Sequence, residues 1–146
     1  MKAYCDSSYL VSLYTPDANS KTAARLARRS DALILSPLCE IELLNALYLR
    51  VFRKQLSEAE ARASQRAFND DLANAVYAIQ PLSPGVFAGA KHLSVEHTSR
   101  LGTRSLDILH IAAALEARVE FLYSLDAKQR KLAAQTGLPC LPELRE

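Results

Sequence analysis

Residues 32–37, Ala-Leu-Ile-Leu-Ser-Pro, carry the pattern that decides the fold. Four consecutive apolar residues are of strand length, and no polar residue alternates with them, so both faces of the strand must be covered. Ser36 then stands as a helix cap and Pro37 at the first helical position, where a missing N–H is harmless. A fully covered strand that runs straight into a helix is the building unit of a parallel sheet.

The same unit recurs on either side. Lys2–Cys5 reads as a first strand that ends at the polar tip Asp6-Ser7-Ser8, followed by a short helix over residues 9–14 that Thr15-Pro16 stops. Asn19-Ser20 is placed to cap a helix over 21–29. The helix opened by Ser36-Pro37 extends to about Arg53, and Ser57-Glu58-Ala59-Glu60 is a capping-box pattern for another that runs to about Asn74. Residues 76–79 and 120–125 are further strand candidates, and Pro139 marks 138–141 as a short edge strand. Ser83-Pro84 opens one more helix, residues 97–104 read as a polar loop, Ser105 as the cap of a helix over 106–117, and 127–136 as a last helix closed by Gly137. Strands alternating with helices predict an α/β fold with a parallel sheet covered on both faces, and 146 residues suit a single domain spanning 1–146.

Composition narrows the function classes. Half the chain is hydrophobic (49%), 23% is charged, and 18 basic against 16 acidic residues leave a net charge of +2. A strongly basic nucleic-acid binder would look different, so contact with RNA must come from local clusters such as Arg25, Arg28 and Arg29, or Lys128, Arg130 and Lys131. Cys5, Cys39 and Cys140 have no metal-site or redox spacing and read as small core residues in a reducing compartment. Without an apolar leader or a bilayer-length run, the expectation is a cytoplasmic protein with no membrane partner.

In open parallel sheets, ligands bind beyond the carboxyl ends of the strands. Asp6 follows the first strand and Asp126 the strand at 120–125, while Glu42 and Asp107 lie early in helices that start at the same edge. Taken singly, each acid has an ordinary explanation: Asp126 as a cap, Asp107 as a first-turn acid, Asp6 as a turn former, Glu42 as a solvated helix residue. Taken together, four carboxylates on one edge repel unless a hard cation such as Mg²⁺ or Mn²⁺ neutralises them. Glu40 and Glu42 lie about 200° apart on a helix and cannot face the same way; Glu42 is the choice here, although spacing alone does not force it.

Four segments resemble the motifs of PIN domains. They are Asp6-Ser7-Ser8-Tyr9-Leu10-Val11, Glu42-Leu43-Leu44-Asn45-Ala46-Leu47, the stretch from Arg104 to Ala114 that contains Asp107, and Tyr123-Ser124-Leu125-Asp126. The third is the most specific; in the fourth, Ser124 stands where threonine is commoner. The resemblance spans essentially the whole chain and points to the VapC-type toxins of toxin–antitoxin pairs. It implies a three-layer α/β/α fold with a five-stranded parallel sheet, and Mg²⁺- or Mn²⁺-dependent cleavage of a structured RNA such as tRNA or rRNA. It also implies a VapB-type antitoxin and a homodimer, and it selects Glu42 over Glu40.

On that basis Asp6, Glu42, Asp107 and Asp126 are the candidate catalytic and metal-holding residues, with Asp6 and Asp107 first among direct ligands. Ser8 is expected to support Asp6, and Arg104 either to meet a substrate phosphate or to pair with a site carboxylate. Asn45 is a supporting candidate beside Glu42, His110 reads as a buried structural histidine rather than a general base, and Tyr9 and Tyr14 as core residues rather than base-stacking platforms. Four rival readings are a PIN nuclease of RNA maturation, a phosphoryl-transfer enzyme with an aspartate nucleophile, a signalling receiver, and a PIN module that only binds. The second wants an acid where Ser8 stands, and the third wants an adjacent acid pair before its phosphorylated aspartate and a later lysine, an arrangement that has no place here.

Overall fold

The computed structural model describes residues 1–144. In chain order they form β1 (Lys2–Cys5), α1 (Ser7–Tyr14), α2 (Ser20–Arg29), β2 (Ala32–Leu35), α3 (Pro37–Phe52), α4 (Glu58–Ala73), β3 (Tyr77–Ile79), α5 (Pro84–Leu101), α6 (Ser105–Glu116), β4 (Phe121–Tyr123), α7 (Ala127–Gln135) and β5 (Cys140–Leu141). The sheet runs in the order β3-β2-β1-β4-β5 with every pair parallel. Chain progress is outward from β1 in one direction, then outward from β4 in the other. With right-handed crossovers, that reversal puts α1–α4 on one face and α5–α7 on the other. The helix contacts follow the same division: α1 packs on α2, α3 and α4, while α5, α6 and α7 pack on one another.

The central strands are sealed from both sides. Ala3, Tyr4 and Cys5 of β1, and Leu122 and Tyr123 of β4, are fully buried, as the unbroken apolar runs required. Cys39 is also in the core, Cys140 is half-buried, and all three cysteines are free thiols. No helix of the described residues is long and apolar enough to cross a membrane.

Two local expectations are overturned. The polar stretch from residue 97 is not a loop: α5 continues to Leu101, where Gly102 at φ 62° closes it. Its polarity is the solvent side of a long helix, since Glu96 pairs with His92 at 3.1 Å while His97 turns inward. Ser105 does not cap α6; it is the first helical residue, and Arg104 holds the cap position in extended backbone with no side-chain bond. Asn19 likewise caps α2 by position alone. At Ser57 the expected box is complete, with its hydroxyl accepting from the Glu60 N–H and Glu60 accepting from the Ser57 N–H, both at 3.1 Å. Ser57→Ala should therefore cost about 1 kcal/mol, read as a lower urea midpoint with unchanged slope; no shift would mean that the cap is idle.

Candidate active site

All five strands are parallel, so their carboxyl ends share one edge, and the chain's direction reverses between β1 and β4. A crevice opens at such a switch point. Asp6 leaves β1 on one side of it, and Ser124 and Asp126 leave β4 on the other.

Asp6 is almost completely buried, at 3% exposure, and caps α1 through the Tyr9 N–H at 3.0 Å. Two serines hold its carboxylate. Ser8 Oγ donates to Oδ1 at 2.6 Å, and Ser124 Oγ donates to Oδ2. Each serine in turn accepts a backbone N–H from the turn after β4, Ser8 from Leu125 at 2.8 Å and Ser124 from Asp126 at 3.1 Å. The two strand ends are thus tied through one carboxylate. Burial pushes the Asp6 carboxyl above its ordinary range, and the hydrogen bonds from Ser124, Ser8 and Tyr9 offset only part of that rise.

Glu42 reaches the edge from the second turn of α3. Ser7 Oγ donates to its Oε2 at 3.2 Å, and His110 Nε2 contacts its Oε1. His110 is 2% exposed. Its other ring nitrogen, Nδ1, bonds Tyr4 Oη at 2.7 Å, and Tyr4 Oη bonds Ser36 Oγ at 2.7 Å. The Ser36 hydroxyl is thus tied to β1, while Ser36 holds the N-cap position of α3. This chain of contacts joins α3, α6 and β1 beneath the edge. Burial raises Glu42, but His110, Ser7 and Arg104 together hold it below the usual carboxylate range. Burial also opposes charge on His110, but the hydrogen bonds and charges of Cys39 and Glu42 outweigh it and hold its pKa up at about 10.

Asp107 lies in the first turn of α6, 8% exposed, with Arg104 Nε 3.4 Å from its Oδ2. Asp107, Arg104 and Glu42 line one recess of about 240 Å³. Asp126 caps α7: its Oδ1 accepts the N–H groups of Lys128 at 2.8 Å and Gln129 at 3.0 Å, which leaves Oδ2 outside the cap.

The fold thus brings Asp6, Glu42 and Asp107 to one edge with Asp126 beside them, each on its own element. Ser8 meets Asp6 and Arg104 meets Asp107 as expected. Asn45 does not join them: it is exposed, and both oxygens of Glu42 are engaged by Ser7 and His110. Tyr9 and Tyr14 are core residues, bonded to the Ala23 carbonyl and to Asp71 and Tyr77. Three contributors were given no site role by the sequence reading. Ser7 and Ser124 were quoted only as members of motif segments, and His110 carried no sign that its partner would be Glu42.

Among the described residues, no three His, Cys, Asp or Glu side chains converge as a ready-made metal cage. Mg²⁺ does not require one, because it keeps several waters and is held by one or two carboxylates together with substrate phosphates. The donors at this edge are carboxylate and hydroxyl oxygens, which suit a hard cation and not a soft one. In that limited sense the residues fit the ion.

A family model described as PIN domain matches residues 3–135. No curated protein sequence matches the chain. Solved structures do. The chain resembles VapC20 of Mycobacterium tuberculosis, a toxin that cleaves the sarcin-ricin loop, with 19% identity, TM-score 0.69, and coverage of 94% of this chain and 96% of that one. It resembles FitAcB from Neisseria gonorrhoeae at 16% identity and TM-score 0.68, covering 96% of each chain. It also resembles VapBC2 from Rickettsia felis, solved bound to a promoter DNA fragment, at 15% identity and TM-score 0.65, covering 97% and 98%.

Proposed function

Since this chain belongs to the PIN domain family, we propose that it is a divalent-metal-dependent endoribonuclease and the toxin of a VapBC-type toxin–antitoxin pair. The observation that carries this reading is the shared recess of Glu42 and Asp107 at the sheet edge where Asp6 is already held by two serines.

Asp6, Glu42, Asp107 and Asp126 are the residues that would hold Mg²⁺ or Mn²⁺. Such an ion supplies positive charge for the phosphodiester transition state and activation of the attacking water. The protein's own groups do the rest. Ser8 and Ser124 fix the two oxygens of Asp6 in one orientation. Ser7 and His110 fix Glu42 in the same way, and Tyr4 holds the His110 ring in one orientation. The Arg104 side chain is 67% exposed beside Asp107, so its guanidinium is free to meet a phosphate while its Nε stays near the carboxylate.

The toxin assignment draws on the likeness in fold to VapC20 and to the toxin–antitoxin complexes, and with it come a structured RNA as substrate, a VapB-type antitoxin, and a homodimer in the cytoplasm. Ile41 (67% exposed), Tyr48 and Phe52 (82%) on α3 are exposed apolar residues at helical spacing, which suits contact with a protein partner.

The test is cleavage of total cellular RNA by the purified protein with Mg²⁺ or Mn²⁺, with chelator, and with Asp107→Ala. Cleavage is expected only with the ion and the intact acid. Activity that survives chelation, or an Asp107→Ala protein as active as wild type, overturns the reading.

A further inference from the structure

We infer that the recess between α2 and the segment after β5 binds the sugar-phosphate backbone of the RNA on its way to the acidic edge, an inference that rests on the nuclease reading. The recess has a volume of about 740 Å³ and is lined by Asn19, Thr22, Arg25 and Arg29 of the α2 side and by Leu141, Pro142 and Glu143 opposite. Arg25 and Arg29 are one helical turn apart, both exposed, and neither pairs with a carboxylate among the described residues. Like charges at that spacing repel, so the helix gains nothing from the pair unless an anion sits between them. Glu143 contributes one negative charge to the far wall against two guanidiniums, which leaves the recess net positive.

Position gives the recess its occupant. Leu141 accepts the Ser124 N–H at 3.0 Å, and Ser124 holds Asp6, so one wall begins beside the acidic edge. The other wall begins at Asn19, which also borders the shallow groove formed by Ser7, Ser8 and Leu125. A phosphodiester chain passing from that groove to the recess meets Asn19, which borders both. Planar guanidiniums take phosphate oxygens in a two-pronged fashion, and Asn19 and Thr22 add polar groups suited to sugar and phosphate. Contacts of this kind hold the strand in register without reading its sequence. Arg28, on the same helix, does not line the recess.

The experiment is fluorescence anisotropy of a labelled single-stranded RNA with the full chain in EDTA, where no cleavage occurs, across a salt series. The Arg25→Ala/Arg29→Ala double variant is expected to bind roughly 10-fold more weakly, with a log–log salt slope smaller by about 1.4, the value for two lost phosphate contacts on a single strand. Arg28→Ala is expected to stay within about 2-fold of wild type, and circular dichroism should report the same melting for all three, since the positions are exposed. Equal affinity and slope in the double variant, or an equal loss in Arg28→Ala, overturns the inference. Parallel cleavage with Mg²⁺ separates the two readings: a wild type that cleaves but shows no dependence on Arg25 and Arg29 sinks the recess alone, whereas a wild type that neither binds nor cleaves sinks the nuclease reading beneath it.

Discussion

Replacing Asp6 by asparagine is expected to reduce RNA cleavage by ~10³-fold or more, about 4 kcal/mol of transition-state stabilisation, without loss of the fold. Asparagine has the same shape and is an equally good helix cap, so the bond from the Tyr9 N–H that starts α1 survives. What disappears is the negative charge. Asp6 is 3% exposed, and its carboxyl lies above the usual range because burial penalises the ionised form. A carboxyl raised in the folded state adds stability only while it is protonated, and that contribution is lost as pH rises through its folded value. In the absence of metal, the cost of ionising the buried Asp6 therefore works against folding as pH rises. The variant should melt at or above the wild-type temperature in EDTA while cleaving almost nothing with Mg²⁺. Near-normal cleavage by the variant would remove Asp6 from the chemistry, and a lower melting temperature would show that the carboxylate serves the fold instead.

His110→Ala is the second substitution of large effect, and it acts on stability and activity together. It removes the partner of a half-buried carboxylate and one of the hydrogen bonds of Tyr4 Oη, which keeps Ser36, and losses of this kind cost about 3 kcal/mol. Glu42 also loses one of the two groups that orient it, for which a 10- to 100-fold fall in cleavage is expected at a temperature where the variant is still folded. His110→Gln, which keeps a nitrogen donor for Glu42, should recover part of both. The pH dependence separates an ion pair from simple packing. The His110 pKa is raised to about 10 in the fold, so its contribution is complete below the unfolded value of about 6.5 and fades as pH climbs through about 10. In urea denaturation with EDTA, the stability gap between wild type and His110→Ala should narrow from pH 7 to pH 10. A gap that does not change with pH would reduce His110 to a space-filling residue.

The alternation of strands and helices was legible because strands such as Ala32–Leu35 are unbroken apolar runs and most helices carry their own signals, such as the box at Ser57 and the proline at position 37. Where a signal was ambiguous the reading failed. Ser99 and Arg100 continue the outer side of α5, and a local window cannot tell a solvated helix face from a loop. Ser105 looks like a cap, yet the N-cap position is held by Arg104.

By itself, the sequence determined that acids stand at the ends of two strands and early in two helices, since chain direction and periodicity are local properties. The order β3-β2-β1-β4-β5 was decided by tertiary structure, and with it the reversal that sets Asp6 beside the turn carrying Ser124 and Asp126. The meeting of Glu42 with His110, 68 residues away, was decided there too. Strand order and side-chain partnership depend on how covered faces pack and which way the crossovers turn, and neither is encoded in any short stretch of the chain.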